Sequence, residues 1–191
     1  LRQFIAFNMI EKFKIDIPDD KISKIIEKVK NYPWTSISDL PNWEHGTNLS
    51  YLKEICNYWI KNFDWKIQEN KINFFHNFKT KVDKVDIHFI KEVGSGLNPK
   101  TLLLMHGWPG SVFEFIEIID QLAHPEKYGG NKEEGVTVIV PSLPGFGFSS
   151  PPSKPYGPRK IAQILNKMMT INLKYKSYVA QGGDWGATIA N

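Results

Sequence analysis

"SYVAQGGDWGATIA", residues 177–190, changes character twice within a few positions. Tyr178, Val179 and Ala180 have the composition of a strand, Gly182 and Gly183 break it, and Trp185 to Ala190 read as the start of a helix. Asp184 stands at the junction. An aspartate there is commonly an N-cap, favoured by the free amides and by the helix dipole. The competing reading is an elbow from strand to helix that projects one side chain upward. Such a turn needs small neighbours because backbone and helix come close, and Gly182, Gly186 and Ala187 occupy those places. The projecting residue is then Asp184. A carboxylate needs no general base for its own activation; it can attack an electrophilic carbon and form an ester that water later cleaves.

The residues upstream weigh between the two readings. "VDIHFIKEV" (85–93) alternates through Val85, Ile87 and Phe89, which predicts a half-buried strand. "TLLLM" (101–105) and "VTVIVP" (136–141) are short continuous apolar runs, as fully buried strands require. Between and after them, "SVFEFIEIIDQL" (111–122) and "RKIAQILNKMMTIN" (159–172) have helical spacing. Strands alternating with helices predict an α/β fold with a mostly parallel sheet and helices on both faces. Ligands in such a sheet sit beyond the C-terminal ends of the strands. "HGWPGS" (106–111) leaves one strand there and "GGDWGA" (182–187) leaves another. In the α/β-hydrolase arrangement the oxyanion donors are two backbone N–H groups, one following the nucleophile and one from the early strand-to-helix loop. Those are Trp185 and Trp108, so Asp184, Trp108 and Trp185 are the candidate catalytic residues. "PSLPGFGFSS" (141–150) reads as a tight, packed loop at the same edge and a candidate wall of the pocket.

The front of the chain is different. "IPDDKISKIIEKVKNYP" (17–33) predicts a helix with Asp19 or Asp20 as its cap and Pro33 past its end, and "NLSYLKEICNYWIKNF" (48–63) predicts a second helix with Leu52, Ile55, Cys56 and Trp59 on one face. "WTSISDLPNWEHGTN" (34–48) reads as a loop with aromatic anchors. The expected division is an N-terminal helical region over 1–80 and the first part of the sheet domain over 81–191, packed together because no Gly/Ser-rich linker separates them. Composition is that of an ordinary globular protein: 41% apolar, 23% charged, net charge +4 over 191 residues. Lysines are dispersed, which gives nucleic-acid binding little support. Cys56 is the single cysteine, so no internal disulfide forms. His45, His76, His88 and His124 have no metal-ligand spacing and read as structural or solvent-facing.

"LLLMHGWPGSVFEF" (102–115), "PSLPGFGFS" (141–149) and "QGGDWGATI" (181–189), together with "WEHGTNLSYLKEICNYWIKNFDWKIQENKINFF" (43–75) and "VDIHFI" (85–90), resemble the microsomal-type epoxide hydrolases, the branch that includes insect juvenile hormone epoxide hydrolases. The resemblance covers nearly the whole chain. It implies an α/β-hydrolase fold, with Asp184 opening the epoxide by attack on carbon and the N–H groups of Trp108 and Trp185 serving the alkyl-ester intermediate. The product is a vicinal diol, and no metal or organic cofactor is implied. The implied partners are a small lipophilic epoxide, such as juvenile hormone or a xenobiotic, and water, with tryptophan rings lining an apolar pocket. It also implies a location at the endoplasmic reticulum membrane through an anchor upstream of Leu1, the alternative being cytoplasmic. The family's two lid tyrosines, its water-activating histidine and that histidine's acidic partner belong to sequence following the elbow. His106 is a poor stand-in for that base because it sits beside the oxyanion loop.

Two other functions stay open. A haloalkane dehalogenase also carries an elbow aspartate followed by tryptophan, but its early loop offers an Asn side chain where Trp108 stands here. A non-catalytic binder of lipophilic molecules on a hydrolase scaffold is the reading from another class. We expect the 191-residue chain by itself to be of low stability and without turnover. Turnover of styrene oxide by the purified chain, at a rate abolished by Asp184→Asn, contradicts that expectation.

Overall fold

A computed structural model describes residues 10–34, 43, 44 and 46–191. The chain forms two compact units, one of residues 15–70 and the other of residues 1–14 with 71–191. In chain order the elements are β1 (Ile10–Lys12), α1 (Asp19–Lys30), α2 (Leu49–Asn62), α3 (Trp65–Asn73), β2 (Asn77–Val82), β3 (Val85–Glu92), β4 (Thr101–Met105), α4 (Ile116–Ala123), β5 (Thr137–Pro141), α5 (Pro158–Lys167), β6 (Val179–Gly182) and α6 (Trp185–Ala190).

In the smaller unit, α1 and α2 occupy the segments their periodicity predicts. Neither aspartate caps α1: its N-cap is Pro18, and Asp19 and Asp20 lie within the first turn, where they face the positive end of the helix dipole. Asn48 caps α2 by accepting from the Tyr51 amide at 3.0 Å. An apolar groove of about 360 Å³ runs between the two helices, lined by Ile25, Val29, Tyr32, Leu52, Cys56 and Trp59 among others. The buried Glu69 carboxylate accepts from the Ile17 amide (2.7 Å), the Trp65 indole (3.0 Å) and Lys66 (3.0 Å). Burial works to raise its pKa, but the three donors together bring it below the usual glutamate value. Most of the expected loop over 34–48, and His45 with it, lies outside the described residues.

The larger unit holds a six-stranded mixed sheet in the order β1-β2-β3-β5-β4-β6. The parallel part is β5, β4 and β6; β1, β2 and β3 extend it with antiparallel pairings, β3 running antiparallel to β5. The extension is a hairpin whose two-residue turn has Asp83 in the left-handed region (φ 54°), a conformation aspartate tolerates better than most side chains. Lys167 (2.7 Å) and Lys160 (3.1 Å) hold the Asp83 carboxylate. One face of the sheet presents Ile87, Phe89, Leu103, Met105 and Ile139, which pack with Ile161, Ile164 and Leu165 of α5 and Ile189 of α6. The helix expected over 111–122 begins as a 3₁₀ turn at Val112–Phe115 before α4, which packs against β3 and β5. The segment after α5 continues as a π-helical turn over Met168–Asn172.

Alternation predicts β3 to be half-buried, yet it is buried along both faces because His88 is fully buried too. His88 Nε2 lies 2.9 Å from Asn77 Oδ1, and Nδ1 lies 2.9 Å from Ser142 Oγ. The Asn77 amide nitrogen already donates to the carbonyls of Ile72 and Phe75, so Oδ1 must accept and Nε2 must carry the proton. Ser142 then donates to Nδ1. Burial, reinforced by the Lys79 charge, pushes the His88 pKa down to about 3.

Between the unfolded value near 6.5 and the folded value of about 3 the unfolded chain binds the proton and the native ring does not, so stability falls as pH falls through that window. Urea midpoints measured from pH 7 downward are expected to decrease for the native sequence, and less steeply for His88→Gln; equal slopes contradict this account of His88.

Candidate active site

The three parallel strands deliver their C-terminal ends to one edge of the sheet. His106 follows β4, Ser142 follows β5, and Gly183 and Asp184 follow β6. Close approach of backbone holds the last of these in place. A Cβ on Gly186 would collide with the main-chain carbonyl oxygen of Met105, and a Cβ on Gly182 would lie 2.5 Å from the Gly186 carbonyl carbon. The first turn of α6 therefore sits directly on the end of β4, and only glycine fits at 186. The same proximity brings the two expected loops together: a Cβ on Gly107 would lie 2.6 Å from that of Asp184.

Asp184 itself is in the left-handed half of conformational space, with φ 50° and ψ −120°. A non-glycine residue there is strained, and such outliers concentrate at functional sites. It stands at the N-cap position of α6, but its side chain makes no capping hydrogen bond to that helix. The carboxylate turns instead toward the other loop, where the backbone N–H of Trp108 donates to Oδ1 at 2.8 Å. The amides of Trp108 and then of Trp185 hold the Asp184 pKa below the ordinary aspartate value, against a small opposing effect of desolvation. The group is thus an exposed, ionised carboxylate with Oδ1 held by the Trp108 main-chain N–H. That arrangement suits attack on an electrophilic carbon, followed by stabilisation of charge on the held oxygen.

The indole rings are more open than the expected aromatic pocket. Trp108 is 67% exposed and Trp185 40%, so in this structure the rings border the site without enclosing it. At Trp108 it is the backbone amide, not the ring, that meets the carboxylate.

His106, next to this loop, has no exposed surface. Its Nδ1 lies 3.0 Å from the Gly107 carbonyl oxygen, and its Nε2 accepts from the Leu143 amide at 3.1 Å. Both ring nitrogens are therefore engaged, and neither is free to take a proton from water. Leu143 belongs to the 141–150 loop, which closes on itself through Phe146 N to Leu143 O and Gly145 N to Ser150 O. Sequence reasoning missed this connection. The only signal for it is the place of His106 directly after a buried strand, which predicts burial but not a partner 37 residues away.

The sheet order, with an elbow after β6 that bears Asp184, has the arrangement of the α/β-hydrolase fold. Residues 100–191 match the model of the alpha/beta hydrolase fold, and residues 10–115 match the model of the epoxide hydrolase N terminus. The chain belongs to the epoxide hydrolase family. It is 40% identical to epoxide hydrolase 1 of Oryctolagus cuniculus over 185 residues, covering 94% of this chain and 40% of that protein. With the juvenile hormone epoxide hydrolase of Manduca sexta it shares 34% identity, over 95% of this chain and 39% of that one. The crystal structure of juvenile hormone epoxide hydrolase from the silkworm Bombyx mori superposes with a TM-score of 0.84 at 31% identity, over 96% of this chain and 43% of that one. An Aspergillus niger epoxide hydrolase superposes with a TM-score of 0.83 at 28% identity, over 97% and 49%. The chain spans about two fifths of the length of the curated relatives it matches.

The glycine packing generates a paired prediction. Gly186→Ala forces a methyl into the Met105 carbonyl and is expected to lower stability by about 1–3 kcal/mol. Gly183→Ala, whose added Cβ meets nothing within 4 Å, is expected to change it by no more than about 0.5 kcal/mol. Denaturant midpoints of the two variants check the contrast.

Proposed function

We propose that this protein hydrolyses a small lipophilic epoxide to a vicinal diol through an ester on Asp184. The single observation that carries the reading is the Trp108 N–H on Asp184 Oδ1 at 2.8 Å, made by a carboxylate that leaves its own helix uncapped. The free oxygen attacks a ring carbon; the carbon–oxygen bond of the ring breaks, and its electron pair goes to the ring oxygen, which takes a proton. Water then adds to the Asp184 carboxyl carbon. Negative charge appears on the oxygen that accepts from the Trp108 amide, and the Trp185 amide is assigned as its second donor. Collapse of this intermediate releases the diol and restores the carboxylate. The proton donors and the water-activating base are assigned, from the family resemblance, to tyrosines and to a histidine with an acidic partner. His106 does not serve as that base, because both its nitrogens are committed.

Juvenile hormone and xenobiotic epoxides are the substrates in view, since relatives at 31–40% identity are juvenile hormone epoxide hydrolases and epoxide hydrolase 1. Neither a dehalogenase nor a non-catalytic binder is favoured by these relatives. Residence at the endoplasmic reticulum is proposed on the resemblance; among the described residues no helix is long and apolar enough to cross a membrane.

Incubation of the folded protein with styrene oxide is expected to add one equivalent of the epoxide's mass, mapped to Asp184 by peptide mass spectrometry. The adduct should be missing in Asp184→Asn. A folded protein that gives no adduct at Asp184, or an adduct elsewhere that survives the substitution, overturns the proposal.

A further inference from the structure

The peptide group joining Gly107 to Trp108 is gripped at both ends. Its N–H donates to Asp184 Oδ1, and its carbonyl oxygen faces His106 Nδ1 at 3.0 Å. In a planar trans peptide the N–H and C=O point in opposite directions, so fixing one aims the other. The second ring nitrogen decides where the imidazole proton lies. Leu143 N–H can only donate, so His106 Nε2, 3.1 Å away, carries no hydrogen. Nδ1 therefore carries it and donates to the Gly107 carbonyl. A doubly protonated ring would set N–H against N–H at Leu143. The ring plane is fixed by an edge contact with Phe146, whose ring centroid is 5.5 Å away at 63°. Burial disfavours the charged ring; the Gly107 carbonyl and the Glu114 carboxylate oppose that effect without overcoming it.

We infer that His106 is a positioning residue: locked by the Leu143 amide as the neutral Nδ1–H tautomer, it holds the Gly107 carbonyl and so aims the Trp108 N–H at the carboxylate oxygen that becomes the oxyanion. This rests on the nucleophilic role proposed for Asp184, although the chain of contacts runs entirely within the protein. It also gives the 141–150 loop a part in the site: Leu143 sets the tautomer, the tautomer sets the peptide, and the peptide sets the donor.

Long-range proton–nitrogen NMR of the nitrogen-15-labelled protein at neutral pH should find His106 protonated at Nδ1 and bare at Nε2. Three variants separate positioning from packing. His106→Asn retains an N–H near the Nδ1 position, His106→Gln carries its amide out to the Nε2 position, where its oxygen can accept from Leu143 while its N–H lies away from the Gly107 carbonyl, and His106→Leu retains bulk alone. Asn should keep the Trp108 amide resonance displaced by its carboxylate bond and keep the rate of Asp184 adduct formation with styrene oxide. Gln and Leu should move that resonance toward a free amide and slow the adduct about tenfold or more, with the remaining amide spectrum native. A ring protonated at Nε2 overturns the inference, as does a Leu variant that leaves both the Trp108 resonance and the adduct rate unchanged. Absence of an adduct in the native sequence would instead count against Asp184 as nucleophile, while the tautomer and the Trp108 resonance would still decide the role of His106.

Discussion

The arrangement depends on one steric fact: the first turn of α6 rests on the main chain at the end of β4, with nothing between them but the hydrogens of Gly186. Main chain against main chain is the tightest packing available to two elements, and it fixes the elbow relative to the loop after β4. The short distance from Gly107 to Asp184 and the hydrogen bond from Trp108 follow from it. Precision at the carboxylate is therefore inherited from an interior strand, which is rigid because it is paired on both sides, to β5 and β6.

Two buried histidines extend the same logic across the sheet. His88 on β3 engages Ser142, and His106 after β4 engages Leu143. The partners are consecutive residues at the exit of β5, so the 141–150 loop is held from the strands on either side. Each ring is neutral with its proton fixed by an immovable neighbour: at His88 the Asn77 amide, at His106 a backbone N–H. Fully satisfied buried polar groups of this kind specify one arrangement where apolar contacts would tolerate several.

The parts of this fold that show in the sequence are those with strong local composition. β4 and β5 appear as short apolar runs, α1 and α2 as helical periodicities, and the two loops that meet at Asp184 as clusters of glycine and proline beside tryptophan. β2 is hidden because "NFKTKV" interleaves its inward residues with lysines and has only Asp83-Lys84 for a turn, in place of the glycine that commonly marks one. β1 is three residues long and takes its identity from pairing with β2. α3 escapes notice because its weakly apolar segment follows α2 after only two intervening residues. In the site, the position of Asp184 is readable from its neighbours, whereas the part played by His106 is not. The first depends on residues within a few positions, the second on an amide far along the chain.

The backbone at position 184 carries one more implication. Its dihedral angles belong to glycine's territory, yet the residue there has a side chain. Folding alone would be best served by removing that side chain, and the chemistry by keeping it. The elbow is thus a place where durability and the proposed chemistry ask for different amino acids, so a search for sturdier variants that ignored activity would be drawn to a glycine at 184, which takes away the carboxylate.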